Sequence, residues 1–134
     1  VRSDIVIDQL TDYRAYLDNM PSEVGKPIIM TEFGLHWGFD GMTFSGATCS
    51  GAYPEGTYQP AAVITYLKDV FTWLEANADS SNIDSWYLFS TYRDLVACNP
   101  DKGYGLTLFD SSSPTANLSP VGQFYYDWIR GDRD

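Results

Sequence analysis

Apolar residues recur at three- and four-residue spacing in three segments of the chain. In residues 4–20, Leu10, Tyr13, Leu17 and Met20 draw the face of a helix that Ser3 is placed to cap, with Pro21 and Gly25 at the exit. In residues 58–78, Val63, Ile64, Leu67, Val70, Phe71 and Leu74 draw a second face, with Pro60 in the first turn. A last helix starts at Ser119-Pro120, a cap followed by a proline at the first helical position. It carries Val121, Phe124, Tyr125, Trp128 and Ile129 on one side and ends at Arg130-Gly131.

Two continuous apolar runs lie between these helices. Lys26-Pro27-Ile28-Ile29-Met30-Thr31-Glu32-Phe33-Gly34 and the run Ile83 to Ser90 read as strands buried on both faces, as in a parallel sheet. Tyr104 to Asp110 is a short extended piece. Residues 35–57 and 91–103 are loops, and 111–118 is a Ser/Pro/Asn linker. The order is helix, strand, loop, helix, strand, loop, helix, which predicts βα units of the α/β class. Two strands are too few to bury both faces of a sheet, so the others are expected from elsewhere.

Composition narrows the function. The 134 residues hold 44% hydrophobic and 19% charged types, room for one domain with a real core. The formal net charge is −10, with only eight Lys and Arg, which argues against a nucleic-acid partner and against an anionic membrane surface. No apolar stretch approaches a membrane span. Ten Tyr, seven Phe and four Trp are a heavy aromatic load, suited to a large core or a stacking surface. The chain opens Val-Arg-Ser-Asp, with neither a leader nor an initiator Met, and reads as a mature or excised piece of a longer protein.

Cys49 and Cys98 fall in the two loops. A bridge between them would tie those loops together and suit an extracellular or otherwise secreted protein; two unpaired thiols are the other reading. No CxxC or Cys/His cluster is present, so no structural zinc site is expected. No Gly-rich phosphate loop follows either strand.

Ligands of α/β folds bind at the carboxyl ends of strands. Glu32 stands at one such end, where a carboxylate is costly unless paired or used. Both loops leave from these ends, and they carry His36 and Trp37 in the first, Tyr92 and Arg93 in the second.

Pro27-Ile28-Ile29-Met30-Thr31-Glu32-Phe33-Gly34 resembles the seventh-strand motif of the clan A glycoside hydrolases, retaining enzymes of the (β/α)8-barrel fold. Trp86-Tyr87-Leu88-Phe89 is similar to the clan's eighth strand. Tyr104-Gly105-Leu106 through Phe109-Asp110, followed by Leu118-Ser119-Pro120-Val121-Gly122-Gln123-Phe124-Tyr125, is similar to its ending. The resemblance spans nearly the whole chain. It implies a single partial domain over residues 1–134, the C-terminal portion of a TIM barrel, with strands seven and eight and helices six to eight. It implies Glu32 as nucleophile and Trp86 as the aromatic floor of a sugar site. Trp37, His36, Tyr92 and Arg93 would contact an oligo- or polysaccharide, and no metal or cofactor is called for.

Two departures accompany the resemblance. A (β/α)8 barrel takes about 250 residues, so the remaining barrel half would come from the same parent chain or from a second polypeptide. The clan's acid/base Glu follows an Asn, and this chain has no Asn-Glu dipeptide. Retaining hydrolysis needs two carboxyl groups about 5–5.5 Å apart, so the chain alone is expected to be inactive. A non-catalytic carbohydrate-binding or scaffold domain is the alternative function. A self-contained α/β domain of flavodoxin type is the alternative fold; it needs about five strands where two are evident.

Overall fold

The first helical segment stops at Asp18, and a turn that holds Pro21 and Gly25 leads the chain to its first strand at Ile28. The computed structural model describes residues 2–34, 43–45, 48–50, 60–88, 108–109 and 115–132, with the side chains of 43–45, 48–50 and 60 left aside. In chain order the elements are α1 (Ser3–Asp18), β1 (Ile28–Phe33), β2 (Thr43–Ser45), β3 (Thr48–Ser50), α2 (Pro60–Asn77), β4 (Ile83–Leu88) and α3 (Pro120–Arg130). No helix among the described residues is long and apolar enough to cross a membrane. The chain divides into two compact units, one of Val1–Phe33 with Thr65–Leu88, the other of Gly34–Ile64 with Phe89–Asp134.

In the first unit β1 and β4 pair in parallel. The turns before the two strands are tied together. Gly25 and Asn82 both take positive φ, at 75° and 50°, a region that glycine enters freely and asparagine tolerates. Asn82 Nδ2 donates to the Gly25 carbonyl at 2.8 Å, and the Ile28 amide donates to the Asn82 carbonyl at 2.8 Å. The two strands therefore start level.

One face of this sheet carries the core. Ile28, Phe33 and Ile83 are buried together with Tyr66, Leu67, Val70, Phe71 and Leu74 of α2. The Phe33 ring stacks on Tyr66 at 6.0 Å and tilts against Phe71 at 6.2 Å. The α2 face follows the expected periodicity, except that Tyr66 is buried and Ile64 is only half-buried.

α1 departs further from its expected face. Leu17 is buried, but Tyr13 is exposed and stacks along the helix on Tyr16. Arg14 takes the buried place, its aliphatic stem packing inward while Nη1 donates to the Lys26 carbonyl at 2.7 Å and Nη2 to Asp18 at 2.6 Å. Ser3 does not cap α1. It is the first helical residue, and its hydroxyl donates to Asp69 of α2 at 2.8 Å.

The second unit contains α3, which begins and ends as its sequence predicts. Ser119 Oγ accepts from the Gly122 amide at 3.0 Å, Pro120 opens the helix, and Gly131 closes it at φ 85°. Val121 and Trp128 are buried, whereas Ile129, expected on the same face, is exposed. The strand-like piece at Phe109 forms an antiparallel bridge with Leu118, and the Ser119 amide donates to the Leu108 carbonyl at 2.9 Å. Within the segment expected to be a loop, β2 and β3 pair antiparallel, Phe44 opposite Cys49.

The expected C-terminal portion of a (β/α)8 barrel is therefore corrected. The described residues hold three helices, a two-stranded parallel sheet and a separate antiparallel pair: a small α/β arrangement. A barrel strand is bonded along both edges and buried on both faces. Among the described residues β1 bonds only to β4, and Ile29 and Tyr87 are 53% and 59% exposed. The apolar runs are thus buried on one face only, because the helices of this unit cover one side.

Burial also makes Tyr66 sensitive to alkali. Desolvation pushes its phenol up to about 12. The unfolded chain releases that proton near pH 10, so its stabilising contribution is complete below about pH 10 and lost as pH rises toward 12. The loss amounts to about 3 kcal/mol. Urea midpoints measured from pH 9 to 12 should fall in the wild type, and Tyr66→Phe should flatten that part of the slope. An equal slope in both proteins would show that Tyr66 is ionised freely in the folded state.

Candidate functional site

The strand pairing determines which side chains reach solvent at the carboxyl end of β1. Partners across the sheet are Ile28 with Ile83, Ile29 with Ser85, Met30 with Trp86, and Phe33 with Leu88. Paired residues share a face, and successive residues alternate. Two irregularities break the alternation. Near the start, β4 has one residue more than β1; near the end, β1 has one more than β4. The second irregularity falls on Thr31 and Glu32, so that both lie opposite Tyr87.

An extra residue in a strand re-aims the side chains around it. Straight alternation from Ile28 would send Glu32 to the helix-covered side and Phe33 outward. With the bulge, Phe33 is buried while Thr31 and Glu32 are both exposed. The hydrophobic core keeps its phenylalanine, and a carboxylate is delivered to solvent at the carboxyl end of a parallel strand. Glu32 takes no part in the ion pairs of the described residues, Arg2–Asp4, Arg14–Asp18 and Lys26–Glu23.

The same parity sorts the other strand. Ile83, Trp86 and Leu88 pair with Ile28, Met30 and Phe33 on the helix-covered side. Trp86 is half-buried there. Ser85 and Tyr87 fall on the open side with Ile29, and Tyr87 is the more exposed of the two. The resemblance singles out Trp86 as the aromatic of interest and not Tyr87. What separates their faces is the extra residue of β4 between Ile83 and Ser85.

Of the other site residues, His36, Trp37, Tyr92 and Arg93 lie outside the described residues, as does Cys98. Cys49 stands in β3, and its pairing with Cys98 lies outside the description. Among the described residues no group of three or more His, Cys, Asp or Glu is placed to hold a metal ion. Chemically, the open face offers a solvent-facing carboxylate next to an aromatic ring and an aliphatic side chain. Such a carboxylate can attack an electrophilic carbon, take a proton or hold a cation. No protein-family model, curated protein or solved structure matches the chain.

Proposed function

We propose that this chain carries the nucleophile of a retaining glycoside hydrolase acting on a β-linked glycan, and that Glu32 is that nucleophile. One observation carries the reading. The run Pro27 to Gly34, which resembles the nucleophile strand of the clan A enzymes, bulges at Thr31-Glu32 so that the carboxylate leaves the core side of the sheet.

The chemistry proceeds in two displacements. A Glu32 carboxylate oxygen attacks the anomeric carbon while the glycosidic bond breaks, and the departing oxygen takes a proton from a second carboxyl group. That group comes from outside this chain, in the same polypeptide or a partner. The product is a glycosyl ester on Glu32. The second group, now a base, removes a proton from water, which attacks the same carbon, frees Glu32 and releases the sugar with its configuration retained.

The ester is what a test should look for. The full-length polypeptide is incubated with a fluorosugar whose leaving group departs quickly and whose ester hydrolyses slowly. The expected result is a mass gain of one glycosyl unit, mapped to the peptide that contains Glu32. An adduct on another carboxylate, or continued turnover with no adduct, would overturn the assignment.

A further inference from the structure

Ile28 and Phe33, at the two ends of β1, are both buried. An odd separation along a strand puts two side chains on opposite faces under regular alternation. Both ends are therefore held from outside the strand, and the extra residue at Thr31-Glu32 takes up the difference. Phe33 is held by its ring contacts with Tyr66 and Phe71, at 6.0 and 6.2 Å. Ile28 is held by Asn82, whose carbonyl accepts the Ile28 amide at 2.8 Å. Amide direction and side-chain face alternate together along a strand, so this bond keeps Ile28 on the helix-covered side.

Asn82 is itself anchored. The turn after α2 closes in the bond pattern of a helix end: the Asn82 amide donates to the Asp79 carbonyl at 3.2 Å, and the Ile83 amide to the Ala78 carbonyl at 2.8 Å. At φ 50° a glycine would serve this backbone at least as well. What asparagine adds is Nδ2, which donates at 2.8 Å to the Gly25 carbonyl of the other turn. The side chain thereby holds its own carbonyl against the Ile28 amide.

We propose that Asn82 is a positioning residue for Glu32: by fixing the start of β1, it keeps the Thr31-Glu32 bulge in place and with it the carboxylate. The catalytic consequence rests on the reading of Glu32 as nucleophile; the hold on the register does not.

The test uses the full-length polypeptide with Asn82→Gly and Asn82→Asp. Both new residues enter the positive-φ region, and neither side chain can donate to Gly25. Asn82 is exposed, so both variants should fold, as urea midpoints will show. The register is read without any sugar. Ile29 and Ser85 are partners across the strands, so an Ile29→Cys, Ser85→Cys pair should be joined by a short bifunctional thiol reagent. Either Asn82 variant should lower that yield about threefold or more. In the chain without added cysteines, kcat per site titrated with the slow fluorosugar should also fall about threefold or more, with KM within about twofold of wild type. A merely structural bond would lower the number of titrated sites and leave kcat per site unchanged. Unchanged joining in either variant overturns the hold on the register. Reduced joining with unchanged kcat per site overturns the positioning of Glu32. If the wild-type adduct maps away from Glu32, the nucleophile reading falls and the joining yield alone decides the role of Asn82.

Discussion

If Glu32 is the proposed nucleophile, Glu32→Gln should lower glycan hydrolysis by the full-length polypeptide by about a thousandfold or more, while its urea midpoint should stay at the wild-type value. The amide has the shape of the carboxylate but cannot form the glycosyl ester. The fold has no stake in the exchange, because Glu32 is exposed and belongs to none of the ion pairs of the described residues. Glu32→Asp makes the companion test. It keeps the charge but withdraws the carboxylate by about one methylene, and a misplacement of about 1 Å costs on the order of a hundredfold. Activity that survives both substitutions would remove Glu32 from the chemistry.

Gly122→Ala destabilises the protein by about 3 kcal/mol, although alanine is the better helix former. Two effects oppose each other at this position. In an exposed helix interior the exchange gains about 1 kcal/mol. Here the added Cβ would lie 1.9 Å from the Leu108 carbonyl oxygen and 2.7 Å from its carbon. Those atoms are backbone, and the same carbonyl accepts the Ser119 amide. The first turn of α3 cannot give way without breaking that bond or the cap that Ser119 makes to Gly122 itself. The clash wins. A urea midpoint well below wild type is the expected result, and a rise would mean that α3 does not approach Leu108 so closely.

The sequence makes α3 legible almost to the residue, because cap, proline and closing glycine each act locally and each has one geometric job. The limits of β1, β4 and α2 are legible for a similar reason: apolar runs ended by turn residues. Faces are harder. α1 buries Arg14 in preference to Tyr13 because a long stem whose terminal nitrogens donate to Lys26 and Asp18 can fill a place that a hydrophobicity count assigns to the aromatic. The side on which Glu32 and Tyr87 emerge depends on one unpaired residue in each strand, and alternation along a single strand has no access to its partner. The β2–β3 pair leaves only a faint trace, two short threonine-bearing segments separated by two residues. The barrel that the resemblance implies is absent from the described residues. Eight residues can resemble a nucleophile strand, but closure is a property of strands bonded along both edges, which β1 and β4 lack among the described residues.

The parallel pairing of β1 with β4 also sets the order in which this molecule is assembled. Ile28 and Ile83 meet only after about 55 residues of chain have been drawn into a loop. The helices need no such closure and form in the microsecond range, whereas long-range strand pairing belongs to the milliseconds-to-seconds regime. Glu32 and Tyr87 sit on opposite sides of that late seam. During refolding, helical signal should return first, and the carboxylate and the ring should become neighbours last.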